Sequence, residues 1–200
     1  MRELGLEHTT MSPDIDEKAV RHADPLQLPV CVAKAKAEAL LARVDRSLPG
    51  WLITADQVVH FEGTVREKPV DAAEAVRFIM SYAKVPAETV AALVVCDIQS
   101  GEMTSGTDIA RVYFSPDMPE SAAVAASAGG KGACMTCCGA LCIEDPALEP
   151  HISRIDGTRD SVFGLPRGLL MRLLDEARKK RGGGGSSATV DAGSSGGART

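Results

Sequence analysis

An aspartate stands in the middle of an apolar run. In WLITADQVVHFEG, residues 51 to 63, Leu52, Ile53, Val58 and Val59 read as a buried strand that Asp56 interrupts. Burying a carboxylate is costly unless it is paired or binds a metal. A strand-end aspartate capping a loop is the plain reading. Three other features point to chemistry. Glu17 lies in SPDIDEK, an acidic cluster with Asp14 and Asp16. Lys36 lies in AKAKA, and Lys68 lies in REKP on the return from the same strand. Carboxylates hold a divalent cation such as Mg²⁺, and ammonium groups neutralise phosphate oxygens. Without this company each lysine reads as a solvated surface charge.

Helices and strands alternate around that strand. DPLQLPVCVAKAKAEALLARV carries Ala33, Ala37, Leu40, Leu41 and Val44 at helical spacing, with Pro29 suited to its first turn. GTVREKP returns after a turn at Glu62 and Gly63. DAAEAVRFIMSYAK opens on a capping box, Asp71 with Glu74. ETVAALVVCDI and SGTDIARVYFS read as two strands joined at QSGE. PDMPESAAVAAS reads as a small-residue helix. GLPRGLLMRLLDEARKK reads as an amphipathic helix with Leu169, Leu170, Leu173 and Leu174 on its apolar side. The pattern predicts an α/β fold with a mixed central sheet. Residues 1 to 181 are expected to form one domain. From Gly182 the Gly/Ser-rich tail cannot bury enough surface to order itself. The start, Arg2 to Gly5, reads as the end of a helix, which suggests a segment upstream.

Charge excludes some functions. The formal net charge is −5, which gives no support for broad binding to nucleic acid or anionic membranes. A local basic pocket for a charged small molecule remains compatible with it. No apolar run reaches membrane-spanning length. Six cysteines without a signal-peptide pattern favour a reducing, cytoplasmic setting. Four of them, Cys134, Cys137, Cys138 and Cys142, crowd into KGACMTCCGALCIED. Zinc sites usually present two separated C-x-x-C knuckles, so packing is favoured over a metal-binding module, in a partly extended segment.

PDIDEK, the AKAKA helix, ITADQVV, REKPVDAAEA and GTRDSVFGLP together resemble the Maf-like nucleoside triphosphate pyrophosphatases, in that family's order and near its spacing. REKP and GALCIEDP look like the plant and algal branch. The resemblance covers roughly residues 1 to 177, nearly all of the chain outside the low-complexity tail. It implies an α/β fold with a nucleotide-binding cleft, often a homodimer, and hydrolysis of a nucleoside triphosphate to the monophosphate and pyrophosphate with Mg²⁺ or another divalent cation. Members are linked to arrest of cell division and septum formation. The resemblance assigns the catalytic aspartate to Asp56, the acidic-loop glutamate to Glu17 and the phosphate-facing lysines to Lys36 and Lys68. Glu17 and Asp56 would hold the metal. Gln57 is a substrate-binding candidate: glutamine after the aspartate resembles the 7-methyl-GTP-cleaving branch, whereas threonine marks dTTP- and UTP-cleaving members. Gly164 and Pro166 are expected to shape the cleft wall. The family begins with a strand and a serine-rich phosphate loop carrying a basic pair, and this chain starts just after that point. Either an upstream segment exists, or the form is weakly active or merely binds nucleotide.

Overall fold

A computed structural model describes residue 5 and residues 7 to 183. The turn at Arg2 to Leu4 and the tail from residue 184 lie outside the described residues. Helix α1 spans Leu28–Leu41, with Pro29 in its first turn. Strand β1 spans Trp51–Phe61 and β2 spans Thr64–Arg66. Between them Glu62 and Gly63 both adopt positive φ, which makes the reversal tight. Helix α2 spans Ala72–Ser81. Its predicted capping box forms with a small shift. The Asp71 carboxylate accepts from the Glu74 backbone N–H, and Glu74 accepts from the N–H of Val70, one residue before the cap.

Strands β3 (Ala87–Asp97) and β4 (Met103–Phe114) form the predicted hairpin. Helix α3 (Glu120–Ser127), strand β5 (Ile152–Asp156), the short helix α4 (Arg159–Val162) and α5 (Arg167–Gly183) complete the chain. The last helix thus runs past residue 182, where the sequence predicts the tail to begin.

The sheet has five strands in the order β2-β1-β3-β4-β5. Every described pair is antiparallel, so the central sheet is present but its predicted mixed character is not. The reason lies in the connections. β1–β2 and β3–β4 close through short turns, which only antiparallel neighbours allow. The α2 connection does run between parallel strands, β2 and β3, but β1 lies between them.

Alternation along β1 and β3 sends successive residues to opposite faces. On one face Ile53, Ala55, Leu93 and Val95 pack against Leu169, Leu170, Leu173 and Leu174 of α5. On the other, Leu52, Ala92 and Val94 meet Ala33 and Ala37 of α1. There the Thr54 hydroxyl donates to the Ala33 carbonyl at 2.7 Å, tying helix to strand. The small residues that space the apolar side of α1 let it lie this close. A third cluster joins Val59, Phe61, Ile79, Tyr82, Val112 and Phe114 beneath α2 and α3.

The cysteine segment belongs to that third cluster. Cys134 is fully buried in it, and Cys138 and Cys142 pack against it. The segment is not extended, as predicted, but a chain of tight 3₁₀ turns at Ala133–Thr136 and Cys138–Ala140. Glycine makes this compactness feasible. A Cβ on Gly139, where φ is +60°, would lie 2.6 Å from the Tyr82 hydroxyl and 2.9 Å from Val59. Gly139→Ala is therefore expected to cost about 2–4 kcal/mol, from left-handed strain plus overpacking. Urea denaturation should show a lower midpoint at unchanged slope.

Candidate active site

β1 and α1 bring the predicted acid and base together. The Lys36 ammonium donates to Asp56 Oδ1 at 2.8 Å and to the Ala55 carbonyl at 3.3 Å. It also pairs with Glu17 Oε1 at 2.9 Å. Lys36 and Asp56 are 14% and 13% exposed, whereas Glu17 is 53% exposed. The Lys36–Asp56 pair is thus mostly shielded, with Glu17 as its outer, open member. Each arrives by a local device. Lys36 sits one helical turn beyond Val32 and Ala33 on the face that covers β1. Asp56 is two residues along the strand from Thr54 and so shares its face. Glu17 begins a 3₁₀ turn capped by Asp16, whose carboxylate accepts from the Lys18 N–H.

The acidic loop has a second anchor that the sequence did not announce. Arg43, just after α1, donates to the Ser12 carbonyl at 2.7 Å and pairs with Asp14 at 3.0 Å. Asp14 and Asp16 are therefore scaffold for Glu17, one tied to Arg43 and the other to its own turn.

Lys68 lies just past the end of β2. The last β1–β2 pair is Val59 with Arg66, and beyond it the two chains separate. Lys68 is exposed and Cys138 half-buried at this opening. The Cys138 thiol lies close enough to feel the charges of Asp56, Lys68, Glu67 and Glu17. Burial, then Asp56, raises its pKa, and Lys68 opposes the rise. Cys138 thus lies within electrostatic reach of Glu17, Asp56 and Lys68 alike. Among the described residues no hydrogen bond or ion pair engages the Lys68 ammonium.

Gln57 is placed elsewhere. Adjacent strand residues face opposite ways, so Gln57 points away from Asp56. Its amide donates to the carbonyls of Ser161 and Val162 at 2.9 and 3.0 Å. Gly164, at φ +85°, packs against its side chain. Gln57 is therefore a strut between β1 and the turn before α5, not a member of the charged cluster. This turn has its own lock: Asp160 accepts from the Arg167 N–H at 2.6 Å.

The unpredicted neighbour is Arg66. Its guanidinium lies over the rings of Phe61, Phe78 and Tyr82, at 3.6, 4.6 and 5.0 Å from their centroids. It donates to the Ser81 hydroxyl at 2.7 Å and to the Phe78 carbonyl at 3.3 Å. This cage fixes the end of β2, and with it the direction in which Lys68 leaves.

Electrostatics favour a reactive carboxylate. Burial raises the Asp56 pKa above the ordinary range, helped by Glu17 and opposed by Lys36. Burial works against the charge on Lys36, but its bonds to Asp56 and Glu17 outweigh that and raise its pKa. The signs differ in consequence. Lys36 contributes stability that is present below its unfolded pKa of 10.5 and lost as pH rises through the higher folded value. For Asp56, stability falls as pH rises from 3.8 through its folded value, because the folded state holds the proton longer. An ionised Asp56 is thus a cost that the Lys36 contact limits.

Among the described residues no group of three or more His, Cys, Asp and Glu is arranged to hold a metal ion. Glu17 and Asp56, bridged by one ammonium, still suit a magnesium ion, which takes one or two carboxylates and completes its shell with water and phosphate. A separate groove of about 910 Å³ reaches Ala55 between the ends of α1 and α5. Its walls include Leu40, Leu52, Ile53 and Leu174, and none of the four charged residues lines it. His8, Thr9, Thr10 and Arg178 also line it.

Glu17, Lys36 and Asp56 form one ion-paired group at β1 and α1, and Lys68 lies within electrostatic reach of the same thiol, Cys138. The chain belongs to the Maf-like protein family, whose model matches residues 1–177. It is 34% identical over 179 residues to a 7-methyl-GTP pyrophosphatase of Dictyostelium discoideum, covering 87% of this chain and 88% of that one. It is 30% identical over 162 residues to a dTTP/UTP pyrophosphatase of Geobacter metallireducens, with 81% of each covered. A nucleoside triphosphate pyrophosphatase of Synechococcus is 26% identical over 176 residues, covering 88% of this chain and 86% of that one.

Proposed function

We propose that this chain is a nucleoside triphosphate pyrophosphatase, a hydrolase that releases pyrophosphate and leaves the nucleoside monophosphate. The observation that carries this reading is the Lys36 ammonium held between Asp56 and Glu17, with Lys68 within electrostatic reach of the nearby Cys138. Relatives named for the same reaction on 7-methyl-GTP and on dTTP and UTP support it.

Asp56 orients a water molecule and takes its proton as that water attacks the α-phosphorus. Its raised pKa makes it a better acceptor than an ordinary aspartate. Lys36 and Lys68 stabilise the charge that builds on the triphosphate oxygens and on the pyrophosphate leaving group. Glu17 and Asp56 are the residues that would hold Mg²⁺. When bound, that ion would supply Lewis-acid polarisation of the phosphate oxygens. We read the protein as cytoplasmic, where its free thiols stay reduced, and as a homodimer, which light scattering would check.

The test is pyrophosphate release from a panel that includes 7-methyl-GTP, dTTP and UTP. Monophosphate and pyrophosphate are expected in equal amounts. Chelation by EDTA should abolish turnover, and added Mg²⁺ should restore it. Orthophosphate as the product would overturn the assignment. Calorimetric binding of nucleotide without any turnover would replace it with a binding protein.

A further inference from the structure

Strands β1 and β2 separate after the pair Val59–Arg66. The turn Cys138–Ala140 bridges the gap they leave. The Gly139 N–H donates to the Glu67 carbonyl at 2.9 Å. The Cys138 thiol donates to the Gln57 carbonyl at 3.6 Å. Glu67 directly precedes Lys68 in the chain, and Gln57 directly follows Asp56. Two adjacent residues of one turn therefore tie together the segments that carry Asp56 and Lys68.

Tyr82 anchors this turn. Its hydroxyl donates to the Gly139 carbonyl at 2.7 Å, and the residue is only 1% exposed. Phe61 meets its ring edge-on at 5.5 Å and Phe114 stacks on it at 6.1 Å, so packing sets the direction of the hydroxyl. The Arg66 guanidinium lies 5.0 Å from the centroid of the same ring. Tyr82 thus meets the Lys68 segment twice, through Arg66 two residues before the lysine and through Gly139 at the residue before it. Burial pushes the Tyr82 pKa up to about 12, so the hydroxyl remains a donor at neutral pH.

We propose that Tyr82 is a positioning residue, whose hydroxyl bond to Gly139 sets where Lys68 stands relative to Asp56. The lysine side chain is long and has many rotamers, so the place where its backbone starts decides what its ammonium can reach. Gly139 is buried. Without the tyrosine hydroxyl its carbonyl loses its donor, and a buried acceptor left unpaired is costly enough to shift the turn. The shift passes through the Gly139 N–H to Glu67, and so to Lys68.

The role given to Lys68 rests on the pyrophosphatase reading. The test is a double-mutant cycle of Tyr82→Phe and Lys68→Ala, read as kcat for pyrophosphate release from the best nucleotide of the panel. Tyr82→Phe keeps the ring and removes only the hydroxyl. It should lower kcat about tenfold, part of the roughly hundredfold that a 1 Å misplacement costs. In the Lys68→Ala background the same change should cost less than about twofold, because the group it aims is gone. Thermal melting checks that each variant is folded at the assay temperature. Equal losses in both backgrounds overturn the proposal, since a hydroxyl that only holds the fold together acts alike in both. So does a Tyr82→Phe protein with unchanged kcat. If Tyr82→Phe does not fold, Cys138→Ala removes the other tie of the turn and leaves Tyr82 in place. Its loss must then vanish in the Lys68→Ala background, and a loss that persists there overturns the proposal. If the wild type releases pyrophosphate from no nucleotide, the pyrophosphatase reading fails by itself. The cycle is then read from the Kd of magnesium tripolyphosphate by calorimetry, with the same non-additivity expected. Additive losses, or no binding, overturn the proposal.

Discussion

Asp56→Asn is expected to cut pyrophosphate release by about 10²–10⁴-fold, the usual worth of a positioned general base. The substitution keeps the shape and leaves an oxygen to accept from Lys36, which also retains Glu17. It removes only the negative charge and the proton-accepting ability. The fold should survive, because the ionised carboxylate is itself a net cost in this shielded place. Single-turnover kinetics and thermal melting on the same preparation would separate the two. A collapse of rate with an unchanged melting temperature is the expected pair of results. The wild-type rate should also show an acid limb above the ordinary aspartate range, since burial raises the Asp56 pKa. Rates equal to wild type would remove Asp56 from the chemistry.

Lys36→Met should be costly in a different way. It leaves Asp56, only 13% exposed, without its cation and with Glu17 nearby. Removing one partner of a buried ion pair costs about 3–5 kcal/mol, and the partly open outer side here favours the lower end of that range. Urea denaturation should report the loss. The acid limb of any residual activity should move to higher pH, because the group that lowered the Asp56 pKa is gone. Adding Asp56→Asn to Lys36→Met should restore much of the stability and none of the activity. That pattern distinguishes an uncompensated charge from a simple loss of packing.

Local patterns were legible, and long-range ones were not. The apolar run broken by Asp56 gave β1 nearly to the residue, and the capping box at Asp71 and Glu74 gave the start of α2. The leucines of α5 were readable because four of them recur on one helical face, and all four are buried. Lys36 and Asp56 are twenty positions apart, yet their contact followed from a helix packed on a strand. Gln57 shows where resemblance and alternation point apart. Resemblance placed it with substrate, whereas strand alternation alone sends it to the other face. Nothing local marks Arg43 as the anchor of the acidic loop, because its partners lie about thirty residues upstream. Equally, nothing local marks Arg181, at the end of α5, as the partner of Asp97 and the cover of the Trp51 ring. Such contacts depend on which elements are neighbours in space, and no short window of residues encodes that.

The cage around Arg66 has one more consequence. Its partners are a hydroxyl, a carbonyl and three aromatic rings, none of which carries a formal charge. Among the described residues no ion pair engages the Arg66 charge, two residues from Lys68, in a molecule whose overall balance is −5. A polyanion approaching from bulk water meets general repulsion and, near Arg66 and Lys68, a local attraction. Capture then depends on ionic strength: dilute buffer lengthens the reach of that attraction, and concentrated salt shortens it.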